Sequence, residues 1–207
     1  MRYRKIPDES IRRLPMYLRS LLLLSERGTQ SISSRKLAEF THLNPNKIRK
    51  DFSYFGAFGT PGVGYKVAGL IKQIRAILRL NTVRKASLIG AGKLGSALLG
   101  YPGFKMYGFE IAAVFDNDPK KIGKKIGNIT VEDISRLRDM KKRKINLAII
   151  TTPAQAAQNI ADMLVKKGIN GILNFAPCYL KVPKKVKVIT IDIAMDLARM
   201  PYYLPVS

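Results

Sequence analysis

The first part of the chain carries apolar residues at helical spacing, separated by residues that begin or end helices. Pro7, Asp8 and Glu9 form a helix start with acidic residues in its first turn. Pro15 is expected to break or kink that helix, because proline has no backbone N–H to donate. The pattern predicts four further helical stretches: Met16 to Gly28, a helix capped by Ser33 or Ser34, Asn44 to about Phe55, and Val67 to about Leu80.

The stretch from Asn44 to Phe55 has the pattern of a helix with one buried face. Asn44 is a favoured N-cap, and Pro45 is a favoured first helical residue. Ile48, Phe52 and Phe55 follow at i, i+4 and i+7 and predict the buried side. Two short helices joined by a tight turn are typical of a helix-turn-helix, in which the second helix enters the major groove of DNA. An ordinary amphipathic surface helix is the alternative.

The opposite side of this helix is polar and cationic. Asn46, Lys50 and Ser53 point away from the apolar side and are flanked by Arg49 and Tyr54. The glycine-rich residues 56–65 follow at once, and their interleaved apolar residues predict a small hairpin, or wing, beside the helix. A predicted wing next to the helix favours the helix-turn-helix interpretation over an ordinary amphipathic surface helix.

From Arg84 onwards, short apolar runs alternate with helical stretches. This alternation predicts an α/β fold with a parallel sheet covered by helices. The predicted strands are Ala86–Ile89, Ile111–Phe115, Asn146–Ile150, Gly171–Asn174 and Val186–Ile191, and the helices lie near Leu94–Leu99, Val131–Lys142 and Ala154–Lys167. The last stretch, Asp192 to Leu204, carries an apolar stripe that predicts docking on a partner subunit or on its own domain.

The first predicted strand enters a G-x-G-x-x-G sequence formed by Gly90, Gly92 and Gly95. In dinucleotide-binding folds these glycines allow a tight turn, close approach of a pyrophosphate, and close packing of helix on strand. The second strand ends in Asp116, about twenty residues later, where a carboxylate can accept hydrogen bonds from an adenosine ribose. The combination favours dinucleotide binding over a plain turn at a helix start.

Asp116 favours NAD over NADP, because its charge repels a 2′-phosphate. Lys120 and Lys121 are close enough in sequence to weaken that preference. Polar contacts are expected from Thr152 and Asn174, which lie where two later strands end. Phe175 is expected to form an apolar wall of the site, and a core aromatic is the alternative.

The proton-transfer residues of a dehydrogenase are missing from the second half of the chain. His42 lies in the first part, and Cys178 has no nearby histidine to activate it. Tyr101 and Asp192 are the remaining candidates, and neither belongs to a proton-transfer motif. The site is therefore expected to bind a nucleotide without catalysing a reaction of it. One cysteine and one histidine also exclude an internal disulfide and a His/Cys metal cluster.

The charge of the chain favours a polyanionic partner. Its 207 residues include 37 Lys and Arg against 14 Asp and Glu, for a formal net charge of +23. A thermophile's lysine-rich surface is the alternative, but such surfaces usually pair their charges with acids. The chain contains no run near the roughly 18 apolar residues of a membrane span and no apolar stretch typical of a signal peptide, so a cytoplasmic protein is expected.

Five motifs in order resemble the Rex family of bacterial redox-sensing transcriptional repressors. They are residues 49–56 (RKDFSYFG), 62–65 (GVGY), 90–96 (GAGKLGS), 101–104 (YPGF) and 174–177 (NFAP). The resemblance implies a homodimer with an N-terminal winged helix-turn-helix domain, a C-terminal Rossmann dinucleotide-binding domain and a swapped C-terminal helix. It also implies that NADH closes the dimer and releases a palindromic operator in double-stranded DNA, whereas NAD leaves DNA binding possible.

The implied domains are residues 1–80, 81–191 and 192–207. The implied cofactor contacts are Gly90, Ala91, Gly92, Lys93, Leu94, Gly95, Asp116, Tyr101, Thr152, Pro153, Asn174 and Phe175. The implied DNA contacts are Ser34, Asn46, Lys47, Arg49, Lys50, Ser53, Tyr54 and Lys66, and the implied switch residues are Arg19, Tyr101 and Asp192. Family wings commonly carry a basic residue near the tip, where this chain has Thr60-Pro61. The rival hypotheses are an NAD-dependent oxidoreductase with a basic N-terminal domain, and a basic oligomerisation module that holds a structural nucleotide.

Overall fold

A computed structural model of the chain describes residues 6–56, 58–59 and 63–204. The chain divides into two compact units, Met1–Thr82 and Val83–Ser207. The first unit contains helices α1 (Asp8–Glu26), α2 (Ser34–Thr41), α3 (Pro45–Ser53) and α4 (Val67–Ile77). Its two short strands, β1 (Ser31–Ile32) and β2 (Tyr65–Lys66), pair antiparallel.

Pro15 does not end the first helix, so the predicted break at this residue is wrong. Helix α1 continues through Pro15 to Glu26, and Pro15 itself is exposed. Leu14, Leu18 and Leu21, on both sides of the proline, are fully buried in the core of the unit. Their burial opposes the cost of about 3 kcal/mol that a proline brings to a helix interior.

The predicted caps of α2 and α3 are confirmed. The Ser33 hydroxyl accepts a hydrogen bond from the Lys36 N–H, and the Asn44 side chain accepts one from the Asn46 N–H. The left-handed residue His42 ends α2 and forms the turn between the two helices. Helix α3 ends at Ser53 rather than Phe55, and α4 ends at Ile77 rather than Leu80.

A short antiparallel ribbon ends the stretch in which the hairpin is predicted. Among the described residues, Tyr65 pairs with Ile32 and Lys66 with Ser31, both of which precede α2 in the chain. Gly64 makes this pairing possible: its φ is +91°, and a side chain there would lie 2.6 Å from the Ile32 carbonyl oxygen. Residues 57 and 60–62 of the predicted wing lie outside the described residues.

The second unit is built on a seven-stranded sheet. Its strands are β3 (Arg84–Ile89), β4 (Phe109–Asp116), β5 (Lys125–Ile126), β6 (Ile129–Asp133), β7 (Ile145–Ile150), β8 (Gly171–Asn174) and β9 (Lys187–Thr190). The order is β5-β6-β4-β3-β7-β8-β9, and every pair is parallel except β5 with β6. The chain builds outward from β3 first in one direction and then in the other, so the end of β3 is the switch point where such folds bind ligands.

The described helices of this unit are α5 (Lys93–Leu99), α6 (Pro102–Met106), α7 (Ala154–Lys166), α8 (Ile193–Ala198) and α9 (Met200–Tyr203). The predicted helix over Val131–Lys142 is wrong. Val131 lies in β6 opposite Val114 and is buried, and residues Ile134–Asp139 form a 3₁₀ helix capped by Asp133. The strand β6 is only five residues long, too short for its alternation to be separated from a helical pattern.

Candidate nucleotide cleft and DNA-binding surface

A cleft of about 770 Å³ lies at the carboxyl ends of the central strands. The loops after β3, β4, β7 and β8 form its walls, as the topology requires. Its lining residues are Ile89, Gly90, Gly92, Leu94, Asp116, Asn117, Asp118, Lys121, Ile134, Thr151, Thr152, Pro153, Ala156, Asn159, Ile160 and Phe175.

The glycine loop has the conformation that its sequence predicts. Gly90 has a φ of +101°, and a side chain there would lie 3.0 Å from the Thr151 carbonyl oxygen. Gly95 is buried, and a side chain there would lie 2.0 Å from the carbonyl oxygen of Gly90. A side chain at Gly92 would meet no atom within 4 Å, so the space beside this residue is open to a ligand.

Asp116 is 6% exposed and already holds three partners in the chain. Its Oδ2 accepts hydrogen bonds from the Ala91 N–H at 2.7 Å and from Lys121 Nζ at 3.0 Å, and its Oδ1 accepts one from the Asp118 N–H at 2.9 Å. Burial acts to raise the pKa of Asp116, but the hydrogen bonds from Asp118, Lys121 and Ala91 outweigh it, so the pKa lies below its ordinary value. The residue is therefore an ionised carboxylate that also fixes the glycine loop.

Three further observations show that the cleft fits a dinucleotide. Among the described residues, Thr152 Oγ1 is a buried side-chain oxygen without a hydrogen-bond partner in the chain. Such an atom is costly unless a ligand or water pairs with it. Phe175 is half-buried and packs against the core beside the cleft, where it can cover an apolar ring. Lys93 and Leu94 are exposed at the start of α5, whose first N–H groups have no helical acceptors.

Asn174 does not face the cleft, which corrects the expected polar contact. Its side chain is fully buried, and its amide nitrogen donates to the carbonyl oxygens of Ala176 and Cys178. Its amide oxygen accepts from the Ala176 N–H. Asn174 therefore holds the turn that positions Phe175, and its side chain takes no part in the cleft itself.

Tyr101 also lies outside the cleft. It is 57% exposed, packs edge to face on Phe104 with 5.4 Å between ring centroids, and borders a separate cavity of about 600 Å³. Asp192 caps α8 by accepting from the N–H groups of Ala194 and Met195. Arg19 is exposed on α1, in the other unit. The structure therefore does not bring these three predicted switch residues together within one unit.

The outer face of α3 presents the predicted polar side chains to solvent. Asn46, Lys47, Arg49, Lys50 and Ser53 are exposed, Ser34 and Tyr54 are partly exposed, and Lys66 is exposed on β2. The Arg49 guanidinium donates to the hydroxyl of Ser34 at 2.6 Å and to the side-chain oxygen of Asn46. These bonds link the start of α2 to α3 and hold the cationic guanidinium of Arg49 on the exposed side of α3.

The inner face of α3 carries a polar cluster that the sequence pattern did not reveal. Asp51 is 2% exposed and accepts hydrogen bonds from Ser10, Arg13 and Tyr17 of α1. Arg13 donates through two nitrogens, to Oδ2 at 2.6 Å and to Oδ1 at 2.7 Å. Asp51 follows Ile48 by three residues, which places it on the apolar side of the helix. This spacing is the feature of the sequence from which its burial could have been predicted.

Asn159 was likewise missed in the cleft. It lies on α7 three residues after Ala156, another lining residue, so helical spacing could have placed it there. Within the described residues, no group of three or more His, Cys, Asp or Glu side chains could hold a metal ion. The same residues contain no helix that is long and apolar enough to cross a membrane.

Comparison with known proteins gives two family matches along the chain. Residues 5–53 match the model described as "Putative DNA-binding protein N-terminus", and residues 81–178 match the model described as "CoA binding domain". These matches cover separately the unit that carries α3 and the unit that carries the cleft. They confirm the predicted α/β fold class with a DNA-binding N-terminal domain.

Relatives and solved structures match nearly the whole chain. The redox-sensing transcriptional repressor Rex of Chloroflexus aurantiacus is 48% identical over 96% of this chain and 94% of the relative, and that of Syntrophobacter fumaroxidans is 44% identical over 99% and 98%. A structure of RSP with β-NAD⁺ and operator DNA has a TM-score of 0.90 at 36% identity, covering 97% of this chain and 93% of that one. With this similarity over both units, the chain belongs to the Rex family of redox-sensing transcriptional repressors.

Proposed function

We propose that this protein represses transcription by binding an operator and releases it when NADH fills the cleft. The observation that carries the proposal is the pairing, in one chain, of a dinucleotide cleft with an exposed cationic helix-turn-helix. RSP, a Rex-family repressor of the same fold, has been solved with β-NADH and with β-NAD⁺ and operator DNA. The protein is accordingly a regulator and not an enzyme. Its place of action is the cytoplasm, where bacterial DNA lies.

The glycine loop is proposed to hold the pyrophosphate of the nucleotide. The backbone of Gly90, Ala91 and Gly92 and the first turn of α5, with Lys93, Leu94 and Gly95, would face the phosphates. Asp116 would accept the hydroxyl groups of the adenosine ribose. Thr152, Pro153 and Phe175 would surround the nicotinamide, and the unpaired Thr152 hydroxyl supports this placement. The bound nicotinamide would be either oxidised or reduced, and this difference is what the protein would sense.

The exposed face of α3 is proposed to enter the major groove. Lys47, Arg49 and Lys50 carry the cationic groups of α3, and Asn46, Ser53 and Tyr54 add polar contacts. Ser34 and Lys66 would add contacts from the neighbouring elements. Arg49 is the better candidate for a base, because its fork is already oriented by Ser34 and Asn46. The net charge of +23 supplies the sequence-independent attraction to DNA.

The active form is proposed to be a homodimer, with domains at residues 1–80 and 81–191 and a C-terminal segment at 192–207 that crosses to the partner. The described residues of α8 and α9 are all exposed, and Ile193, Leu197 and Met200 present apolar side chains to solvent. A dimer places two reading helices about one DNA turn apart, as a palindromic operator requires. Arg19, Tyr101 and Asp192 would exchange partners between the open and closed states.

NADH would act by shifting the population from an open, DNA-binding dimer to a closed one. A thousandfold loss of operator affinity requires a coupling free energy of about 4 kcal/mol. NAD would occupy the same cleft with less preference for the closed state. NADH can drive the closure only by as much as it binds the closed form more tightly than the open form.

The test is operator binding measured by fluorescence anisotropy across NADH/NAD ratios at one fixed salt concentration. Release of the labelled operator as the ratio rises is expected. The same samples are monitored for loss of NADH absorbance with candidate acceptors. Turnover of NADH would favour the oxidoreductase hypothesis, and binding without sequence preference on DNA would favour the oligomerisation module.

A further inference from the structure

Lys121 is the cation that the cleft places against the adenosine-binding carboxylate. Its Nζ lies 3.0 Å from Oδ2 of Asp116 and 3.9 Å from Oδ2 of Asp118. Lys121 therefore lies within ion-pair distance of Asp116, and it also lines the cleft. Its side chain is 38% exposed, so it is reachable by a ligand.

The structure distinguishes Lys121 from its neighbour Lys120, which the sequence alone could not do. Lys120 is exposed and does not line the cleft. The backbone N–H of Lys120 bonds to the carboxylate of Asp118, whereas the ammonium of Lys121 bonds to the carboxylate of Asp116. The two lysines have the same charge and adjacent positions, which makes Lys120 a matched control.

How Asp116 and Lys121 interact with the adenosine ribose depends on whether the ribose carries a free hydroxyl or a phosphate. A free hydroxyl donates to the carboxylate, and Oδ1 of Asp116, which accepts one bond from Asp118, has a lone pair left for it. A ribose phosphate has no donor in its dianionic form and is repelled by the carboxylate. An ammonium has only donors and attracts that phosphate as a point charge. Asp116 and Lys121 therefore act in opposite directions on a phosphorylated ribose.

We propose that Lys121 determines how strongly the cleft rejects a phosphate on the adenosine ribose, and that it allows NADPH to bind with reduced affinity. The inference rests on the proposed function, because it takes the cleft to hold the adenosine half of NADH. Lys121 neutralises part of the charge of Asp116 and turns toward a 2′-phosphate when one is present. Asp116 keeps NADH the preferred ligand.

The experiment titrates the full-length protein with NADH and with NADPH, following the fluorescence of the reduced nicotinamide. The wild type is expected to bind NADPH about ten to a hundred times more weakly than NADH. Lys121→Met should weaken NADPH by about a further tenfold, the loss of one charge-assisted contact. NADH binding should fall by much less than NADPH binding, because a hydroxyl does not require the ammonium. Lys120→Met should change both affinities by less than about threefold.

Three outcomes would overturn the inference. Lys121→Met could weaken both nucleotides equally, Lys120→Met could reproduce its selective loss of NADPH, or the wild type could bind NADH while NADPH fails to bind at any accessible concentration. NADH binding by Lys121→Met reports that the variant is folded, and Lys121→Arg should retain NADPH binding. A wild type that binds neither nucleotide would instead contradict the proposed function.

Discussion

The phenolic hydroxyl of Tyr17 donates a 2.6 Å hydrogen bond to Oδ2 of Asp51, joining α1 to the inner face of α3. The Tyr17 ring also packs edge to face on Phe52, with 5.1 Å between centroids. Asp51 thus sits beneath the polar surface of α3 and fixes the helix from below. The placement of the exposed residues that are proposed to contact DNA depends on this buried cluster.

Tyr17→Phe should lower the free energy of unfolding of the first unit by about 1.5 kcal/mol, the value of one hydrogen bond to a charged group. The ring packing on Phe52 is retained, so the change isolates the hydroxyl. Chemical denaturation followed by circular dichroism measures the effect. Tyr179→Phe, at a side chain that is 88% exposed, is the control and should leave the unfolding curve unchanged. Equal stability of Tyr17→Phe and wild type would show that the cluster does not depend on this bond.

The same cluster predicts a dependence of stability on acid. Burial acts to raise the pKa of Asp51, but hydrogen bonds from Arg13, Tyr17 and Ser10 outweigh it and the pKa lies below its ordinary value. A carboxyl whose folded pKa lies below its unfolded value of about 3.9 stabilises the fold fully above that value. This stabilisation is lost as the pH falls through the folded pKa.

Tyr17→Phe should therefore show a smaller acid-dependent loss of stability than the wild type. Removing one hydrogen bond to the carboxylate brings its folded pKa closer to the unfolded value, so fewer protons are taken up on acid unfolding. Denaturation curves at several pH values between neutral and strongly acid test this. Identical acid-dependent losses in the two proteins would exclude Tyr17 as a determinant of the pKa of Asp51.

The sequence predicted the cleft better than the residues that support it. The glycine spacing, the strand ends and Asp116 are local patterns with a fixed meaning in α/β folds, and the structure places them together. Asn174 was misplaced because sequence cannot tell whether an amide at a strand end turns outward or satisfies its own turn. Asp51 was missed because a buried acid becomes intelligible only when its partners on another helix are known. The continuity of α1 through Pro15 likewise depends on tertiary burial of Leu14 and Leu18.

Asp116→Asn should weaken NADH by tenfold or more while leaving operator binding in the absence of NADH unchanged. The amide has one oxygen in place of two, so it cannot satisfy Ala91, Asp118 and the ribose together. Asp133→Asn is a close control, because Asp133 lies opposite Asp116 on β6 and Asn keeps its cap on Ser135. Operator release at the same NADH concentration in Asp116→Asn and wild type would remove Asp116 from the nucleotide site.

Substitution of alanine for each of two glycines in the loop should distinguish a role in folding from a role in nucleotide binding. Gly95→Ala places a Cβ 2.0 Å from the Gly90 carbonyl oxygen, so both stability and NADH binding should fall. Gly92→Ala points into open space at a φ of −81°, so the fold should be retained while the pyrophosphate is obstructed. Gly100→Ala, with its nearest atom 3.7 Å away, is the control for both. Full NADH affinity in Gly92→Ala would place the phosphates elsewhere.

The C-terminal segment provides the last prediction. The described residues of α8 and α9 include no buried side chain, and Ile193, Leu197 and Met200 are 70%, 68% and 51% exposed. Apolar residues so exposed contribute little to the stability of the chain that carries them, and a partner surface would gain from covering them.

Truncation after Ile191 should therefore leave each unit folded and NADH binding partly intact, while the protein sediments as a monomer. The monomer should bind a palindromic operator weakly, because it has only one recognition helix to contact the DNA. The double variant Ile193→Ser with Leu197→Ser removes the apolar stripe, keeps the Asp192 cap and should reproduce the monomer. A second truncation after Leu204 keeps α8 and α9, so it serves as the length control and should remain dimeric. A dimer that persists after Ile191 and still releases DNA with NADH would exclude the crossed C-terminal segment as the basis of the switch.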